Sequence, residues 1–259
     1  MSTVDEIADR YVEQVAELDP VTATSVGIAG YDDQMTDLSP DGFAARAQLD
    51  RDTVAALSQV AAETGRERIA RSAMLERLGV QLERYDAGYE TSELNVVASW
   101  VQGVRQVFDL MPVEGEQAQR NLLDRMRAVP AAYAGLRQTY GDAATDGRVA
   151  ARRQVERCAS QCAGWSAPGR GFYPGLVART GAEGAMLADL ERAAAAASAA
   201  TSELGEFLTT RLLPLAPQAD AAGRERYALE SRRFLGATID LDEAYAWGWA
   251  EVLRIEAEM

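Results

Sequence analysis

Apolar residues recur at three- and four-residue steps along most of the chain, and no alternating run is long enough to argue for a sheet. The clearest stripe is Leu75, Leu78, Leu82, Tyr85 and Tyr89, which share one face of a helix and read as core or helix-to-helix contact. Ahead of it, Thr3 with Glu6 forms a capping-box signature for a helix over Val4–Leu18. Asp19-Pro20 ends that helix and starts a short second one, which stops near Gly27. Gly30 to Asp37 reads as a polar, aspartate-rich loop. Ser39-Pro40 then caps a helix predicted to reach Ala62.

From Leu94 to Pro112 the pattern is less regular, and Phe108, Leu110 and Met111 are expected to plug a connection against the bundle. Helices are predicted over Gly115–Met126 and Pro130–Tyr140, then over Val149–Trp165 after a turn at 141–147. The run from Ser166 to Gly171 is dense in glycine and proline and reads as an exposed turn. An anion cradle is its weaker alternative, for no strand or phosphate-loop lysine accompanies it. Gly184–Leu213 reads as one long helix through the alanine run Ala193–Ala197, ended by Pro214 and Pro217. A further helix spans Arg224–Leu235, and Asp240 caps a last one with Asp242 and Glu243 in its first turn. Only 94–109 and 172–177 leave room for short strands. The expected fold is all-α: an irregular array of antiparallel helices in a single helical domain, 1–259.

Composition narrows the function more than the fold. A chain of 259 residues that is 47% hydrophobic can bury a sizeable core. Its formal charge is −14, its 26 basic residues are all arginine, and no basic stripe appears, which argues against nucleic acid as a partner. No apolar run approaches the roughly 18 residues of a membrane span. Asp5, Glu6 and Asp9 stand where a secretory signal would carry positive and then apolar residues, so the expectation is a cytoplasmic chain.

Histidine is absent altogether. That excludes serine–histidine and cysteine–histidine catalysis within this chain, and most catalytic zinc sites. Cys158 and Cys162 lie on one side of a helix without redox or four-ligand spacing, and read as buried thiols. Glu243, Glu251 and Glu258 are too far apart along one helix to converge on an ion. Asp32, Asp33 and Asp37 lack the glycine and closing glutamate of a calcium loop. Both acidic groups read as solvated surface.

On the final helix, Leu241, Tyr245, Trp249, Val252 and Ile255 gather near one face, and no stop signal precedes Met259. A short helix bearing such residues normally needs a neighbour. The expectation is therefore a chain cut within this helix (240–259), or a partner chain covering it; exposed apolar surface there also allows a homodimer.

Several stretches, in order, resemble the N-terminal half of the bacterial DUF885 family. They are Asp19 to Thr24 with Gly27 and Tyr31-Asp32, then Val107 to Pro112, Arg152 to Val155, Gly223 to Leu229, Arg233 to Gly236, and Asp242 to Gly248 with Glu251. The resemblance implies a mostly helical, two-lobed, zinc-metallopeptidase-like protein whose His-Glu-x-x-His helix lies in a C-terminal half. This chain has no such motif, so no catalytic residue and no metal ligand carries over, and zinc is implied only for the full-length pattern. The chain would then form one wall of a peptide-binding cleft and be inactive alone. Arg224, Arg226, Tyr227, Tyr245 and Trp249 are the candidates for that wall, the arginines as carboxylate clamps and the rings as flanks for an extended peptide. The bland alternative has Arg226 and Arg233 pairing with Glu225, Glu230 or Asp242, and the aromatics in the core. Two other readings stand beside it: a natural noncatalytic binding or scaffold protein, and an unrelated helical enzyme whose carboxylates converge in a pocket.

Overall fold

The computed structural model of the chain describes residues 3–259, and every regular element within them is helical. Thr3 Oγ1 accepts from the Glu6 backbone N–H and the Glu6 carboxylate accepts from Thr3 N–H, which starts α1 (Val4–Leu18). Asp19 closes α1 and caps α2 (Pro20–Val26), which ends on left-handed Gly27. After α3 (Pro40–Gln59) the chain is extended at Val60, because Thr64 must be extended to form the capping box of α4 (Gly65–Asp86). That costs α3 the three residues expected up to Ala62.

The region 94–112 holds α5 (Trp100–Gln106) and a 3₁₀ turn at Val107–Leu110. Phe108 and Met111 are buried there, but Leu110 faces solvent and plugs nothing. A single helix, α6 (Glu116–Thr145), replaces the two predicted on either side of Pro130. Proline removes one backbone hydrogen bond and crowds the preceding turn. The burial of Met126, Val129, Ala132, Tyr133 and Leu136 along the same face outweighs that cost. The next helix, α7 (Arg152–Trp165), begins three residues late, where Arg152 N–H donates to the Pro217 carbonyl.

Phe172–Val177 is helical, α8, and not a strand. The long alanine-rich helix α9 (Gly184–Phe207) passes into a π turn at Leu208–Leu212 and a 3₁₀ turn at Leu213–Leu215. Last come α10 (Arg224–Leu235) and α11 (Leu241–Glu258).

The main core lies where α6, α7 and α8 pack on α9. Ala193, Ala194, Ala197 and Ala200 let helices approach α9 closely, and Tyr133, Leu136, Cys158, Cys162 and Tyr173 fill the space. Both cysteines are free and buried, and burial raises their thiols to about 11 and about 12 respectively. A smaller core of Val4, Ile7, Leu57 and Leu78 joins α1, α3 and α4. At Gly135 a Cβ would come 2.7 Å from the Ser39 nitrogen, so glycine lets α6 lie against the start of α3.

Arg125 of α6 ties α2 and its loop to the main core. The side chain is fully buried and has no carboxylate partner; instead Nε donates to the Gln34 carbonyl at 2.7 Å, and Nη2 to the Tyr31 carbonyl at 2.6 Å and to Thr24 Oγ1 at 2.9 Å. Burial lowers its pKa to about 10 against the raising charges of Asp32 and Asp33, and the cation is retained. Substituting Arg125→Met leaves the part-buried Gln34 carbonyl and Thr24 hydroxyl without this donor, and the Tyr31 carbonyl with the Gln34 N–H alone. With each unpaired group costing about 1–3 kcal/mol, we expect a loss of about 3 kcal/mol or more in urea unfolding followed by circular dichroism. A loss below about 0.5 kcal/mol, the size of an ordinary surface substitution, would show that the loop is held some other way.

Candidate functional site

The five residues chosen from sequence all lie on the α10–α11 arm. Neither helix buries a residue. Arg224 is spent on Asp242, bidentate at 2.9 and 2.7 Å, which fixes α10 to α11 on the surface. Arg226 stacks on the Tyr89 ring at 5.2 Å, and Tyr227 is exposed. Tyr245 and Trp249 meet edge to face with centroids 6.3 Å apart, and with Ala244, Gly248 and Val252 they line a shallow hollow of about 390 Å³. Their faces are open, at 69% and 54% exposure, and Trp247, at 68%, lies on the other side of the helix. The structure thus brings Tyr245 and Trp249 together and occupies Arg224 and Arg226 elsewhere.

Ion pairs hold the arm to the body. Arg232 makes a bidentate pair with Glu76 (2.8 and 2.9 Å) and reaches Glu83 at 2.8 Å. Arg84, 1% exposed, holds Glu230 of α10 through Nε and Glu93 through Nη2. Arg77 donates to the Arg233 carbonyl. Arg233 itself lies 3.5 Å from Glu230.

A second constellation was not visible in the sequence. Between α1, α3 and α4 lies a cavity of about 380 Å³ lined by Tyr11, Asp19, Arg46, Asp50, Glu90 and Trp100, with Arg77 and Arg233 at its exposed side. Arg46 lies over the rings of Phe43 and Trp100 and donates Nη1 to the Asp37 carbonyl, while Nη2 is buried without a partner. Burial lowers the Arg46 pKa against the charges of Asp19, Glu90, Asp37 and Asp50. Asp50, 7% exposed, accepts from Tyr11 Oη at 2.9 Å. Its carboxyl is raised by burial, and Tyr11, Arg46 and Arg51 only partly offset this. Glu90 is raised by burial too, with the Asp50 charge adding to it and Arg84 and Arg46 opposing. These residues are scattered over 90 positions without a motif, so no local spacing signals them.

Among the described residues, no group of three or more His, Cys, Asp or Glu side chains is placed to hold a metal ion. The zinc implied by the family pattern therefore finds no fitting donor set here, and no hydrolytic step is assigned to these residues.

A family model described as “Bacterial protein of unknown function (DUF885)” matches residues 20–259. The chain belongs to the DUF885 family. Its fold superposes on a “putative lipoprotein of unknown function” from Shewanella oneidensis with a TM-score of 0.76 at 16% identity, covering 100% of this chain and 47% of that one. It also superposes on the “putative lipoprotein” from Colwellia psychrerythraea with a TM-score of 0.78 at 12% identity, covering 98% and 50%. The DUF885 chain thus spans about half the length of either structure. No curated protein matches it.

The cytoplasmic expectation is corrected by these neighbours, since lipoproteins are anchored at a membrane. No helix among the described residues is long and apolar enough to cross one.

Two outcomes are expected here. Arg232→Ala should quicken amide hydrogen exchange across α10 by about tenfold or more, as charged hydrogen bonds of about 1.5–3 kcal/mol are lost, and leave α6 and α9 protected. Equal protection of α10 in both proteins would refute the polar docking. For Asp50, a folded-state pKa raised above the unfolded value gives stability present below the unfolded pKa and lost as pH rises through the folded one. Asp50→Asn retains an acceptor for Tyr11 and removes this penalty. Thermal unfolding should find it more stable than the parent by about 1 kcal/mol near neutral pH. The gap should close toward about pH 4.

Proposed function

We propose that this chain is the noncatalytic, substrate-side part of a peptide-handling DUF885 protein, in which α11 forms one wall of the peptide cleft. The observation that carries the reading is the open aromatic face of α11, where Tyr245 and Trp249 stand edge to face over a hollow floored by Gly248. Exposed aromatic surface on a helix with no buried residue of its own calls for a partner. An extended peptide can lay alternate side chains against two such rings while its backbone stays hydrated.

Arg224 supports the wall indirectly in this reading, since its pairing with Asp242 sets the angle between α10 and α11. Arg226 is occupied by the Tyr89 ring, and Tyr227 stands exposed on α10. The zinc chemistry of the wider family resemblance belongs to residues outside this chain, so binding without turnover is the expected behaviour.

The test combines two measurements on the purified chain. Fluorogenic peptides should be hydrolysed no faster than in buffer, with or without added zinc; turnover would overturn the noncatalytic assignment. A fluorescein-labelled, aromatic-rich peptide should bind saturably by anisotropy, and Trp249→Ala or Tyr245→Ala should weaken it by about tenfold, as loss of an aromatic anchor does. Absence of saturable binding, or equal binding by the parent and Trp249→Ala, would sink the cleft-wall reading.

A further inference from the structure

In the cavity between α1, α3 and α4, Asp50 and Arg46 keep hydrogen-bonding capacity that the fold does not use. Its lining balances three acidic side chains, Asp19, Asp50 and Glu90, against three basic ones, Arg46, Arg77 and Arg233. A pocket for a simple cation or a simple anion would carry an excess of one sign. Among the described residues, none of these six side chains forms a close ion pair with another. Asp19 is saturated by Thr22 and Thr36, so it is part of the scaffold. Asp50 uses one oxygen for Tyr11, and its other oxygen accepts nothing from a described residue. Arg46 has one nitrogen on the Asp37 carbonyl and another buried with no acceptor.

A buried donor without an acceptor, in a cavity that also holds a carboxylate oxygen left free, is a costly feature for a domain to keep. At about 380 Å³ the space is at the small end of ligand pockets, which run from about 300 to 1,000 Å³. Apart from Tyr11 and Gln81, the rest of the lining is apolar: Val15, Ala47, Leu49, Leu78 and the Trp100 ring.

From this juxtaposition we infer that the cavity binds a free α-amino acid with an apolar side chain, its ammonium on Asp50 and Glu90, its carboxylate on Arg46, and its side chain against Leu49, Leu78 and Trp100. The ammonium supplies the hydrogen-bond donor that the free oxygen of Asp50 lacks. The carboxylate supplies the acceptor that the Arg46 guanidinium lacks. Trp100, already stacked with Arg46, gives the site a fluorescent reporter. The site is separate from the α11 wall and does not depend on that reading.

Isothermal titration of the purified chain with L-leucine, L-methionine and L-phenylalanine tests it. At least one should give saturable heat. For that amino acid, the amide (ammonium only) and the N-acetyl derivative (carboxylate only) should each bind about tenfold or more weakly, because a buried charge is left unpaired. Asp50→Asn, which is expected to fold at least as well as the parent, should lose binding by a similar factor. Arg46→Gln should do the same, with circular dichroism checking its fold. Trp249→Ala should bind as the parent does, which keeps this result distinct from the α11 test. No saturable heat from any of the three, equal binding by the capped derivatives, or unchanged binding by Asp50→Asn would each overturn the inference.

Discussion

Arg84 is taken almost wholly out of water, and a guanidinium in that position must find compensation or the arrangement around it fails. Burial works against its charge, and the hydrogen bond and charge of Glu230, with Glu93 and Glu90, outweigh burial and raise its pKa. The consequence reaches beyond one pair. Glu230 belongs to α10 and Glu93 to the connection after α4, so one side chain fixes the arm, the connection and α4 together. Everything presented by α10 and α11 depends on that anchor and on Arg232 beside it. Around Arg84 the chain holds its edge by charge, where α6 to α9 hold theirs by packing.

Three enclosed arginines show three solutions to the same problem. Arg84 is matched by carboxylates, and Arg125 by backbone carbonyls and a threonine hydroxyl. Both are satisfied, and both act as fasteners. Arg46 has aromatic faces and a single carbonyl, with one nitrogen left over. A satisfied buried charge stabilises a structure, while an unsatisfied one beside a cavity is poised to interact with something that enters. This difference separates the scaffold from the cavity more sharply than residue type does.

The arm and the body also differ in what they leave exposed. The main core closes over its aromatics, with Phe108, Phe172 and Tyr173 meeting edge to face. In α11 the same kind of contact between Tyr245 and Trp249 lies open. An aromatic pair in solvent gains little from its own contact compared with what a covering surface would add. The apolar face of α11 is thus carried on an arm that ion pairs, rather than a packed core, fasten to the body.

Local signals fixed a large part of this fold in advance. Thr3 with Glu6, Asp19-Pro20, Ser39-Pro40, Gly236 and Asp240 mark helix ends through hydrogen bonds made within a few residues, and the helices begin or end there. Absent histidine likewise settled which catalytic sets the chain cannot contain. What the sequence did not reveal depends on distant neighbours. Pro130 stays inside α6 because the flanking side chains find a core, and Leu110 turns outward because Phe108 and Met111 already fill the space. Tyr11, Arg46, Asp50 and Glu90 share a cavity only because α1, α3 and α4 pack around it. Capping and periodicity are short-range properties that a sequence carries openly, whereas burial and charge pairing belong to the packed chain, and tertiary structure alone decided them.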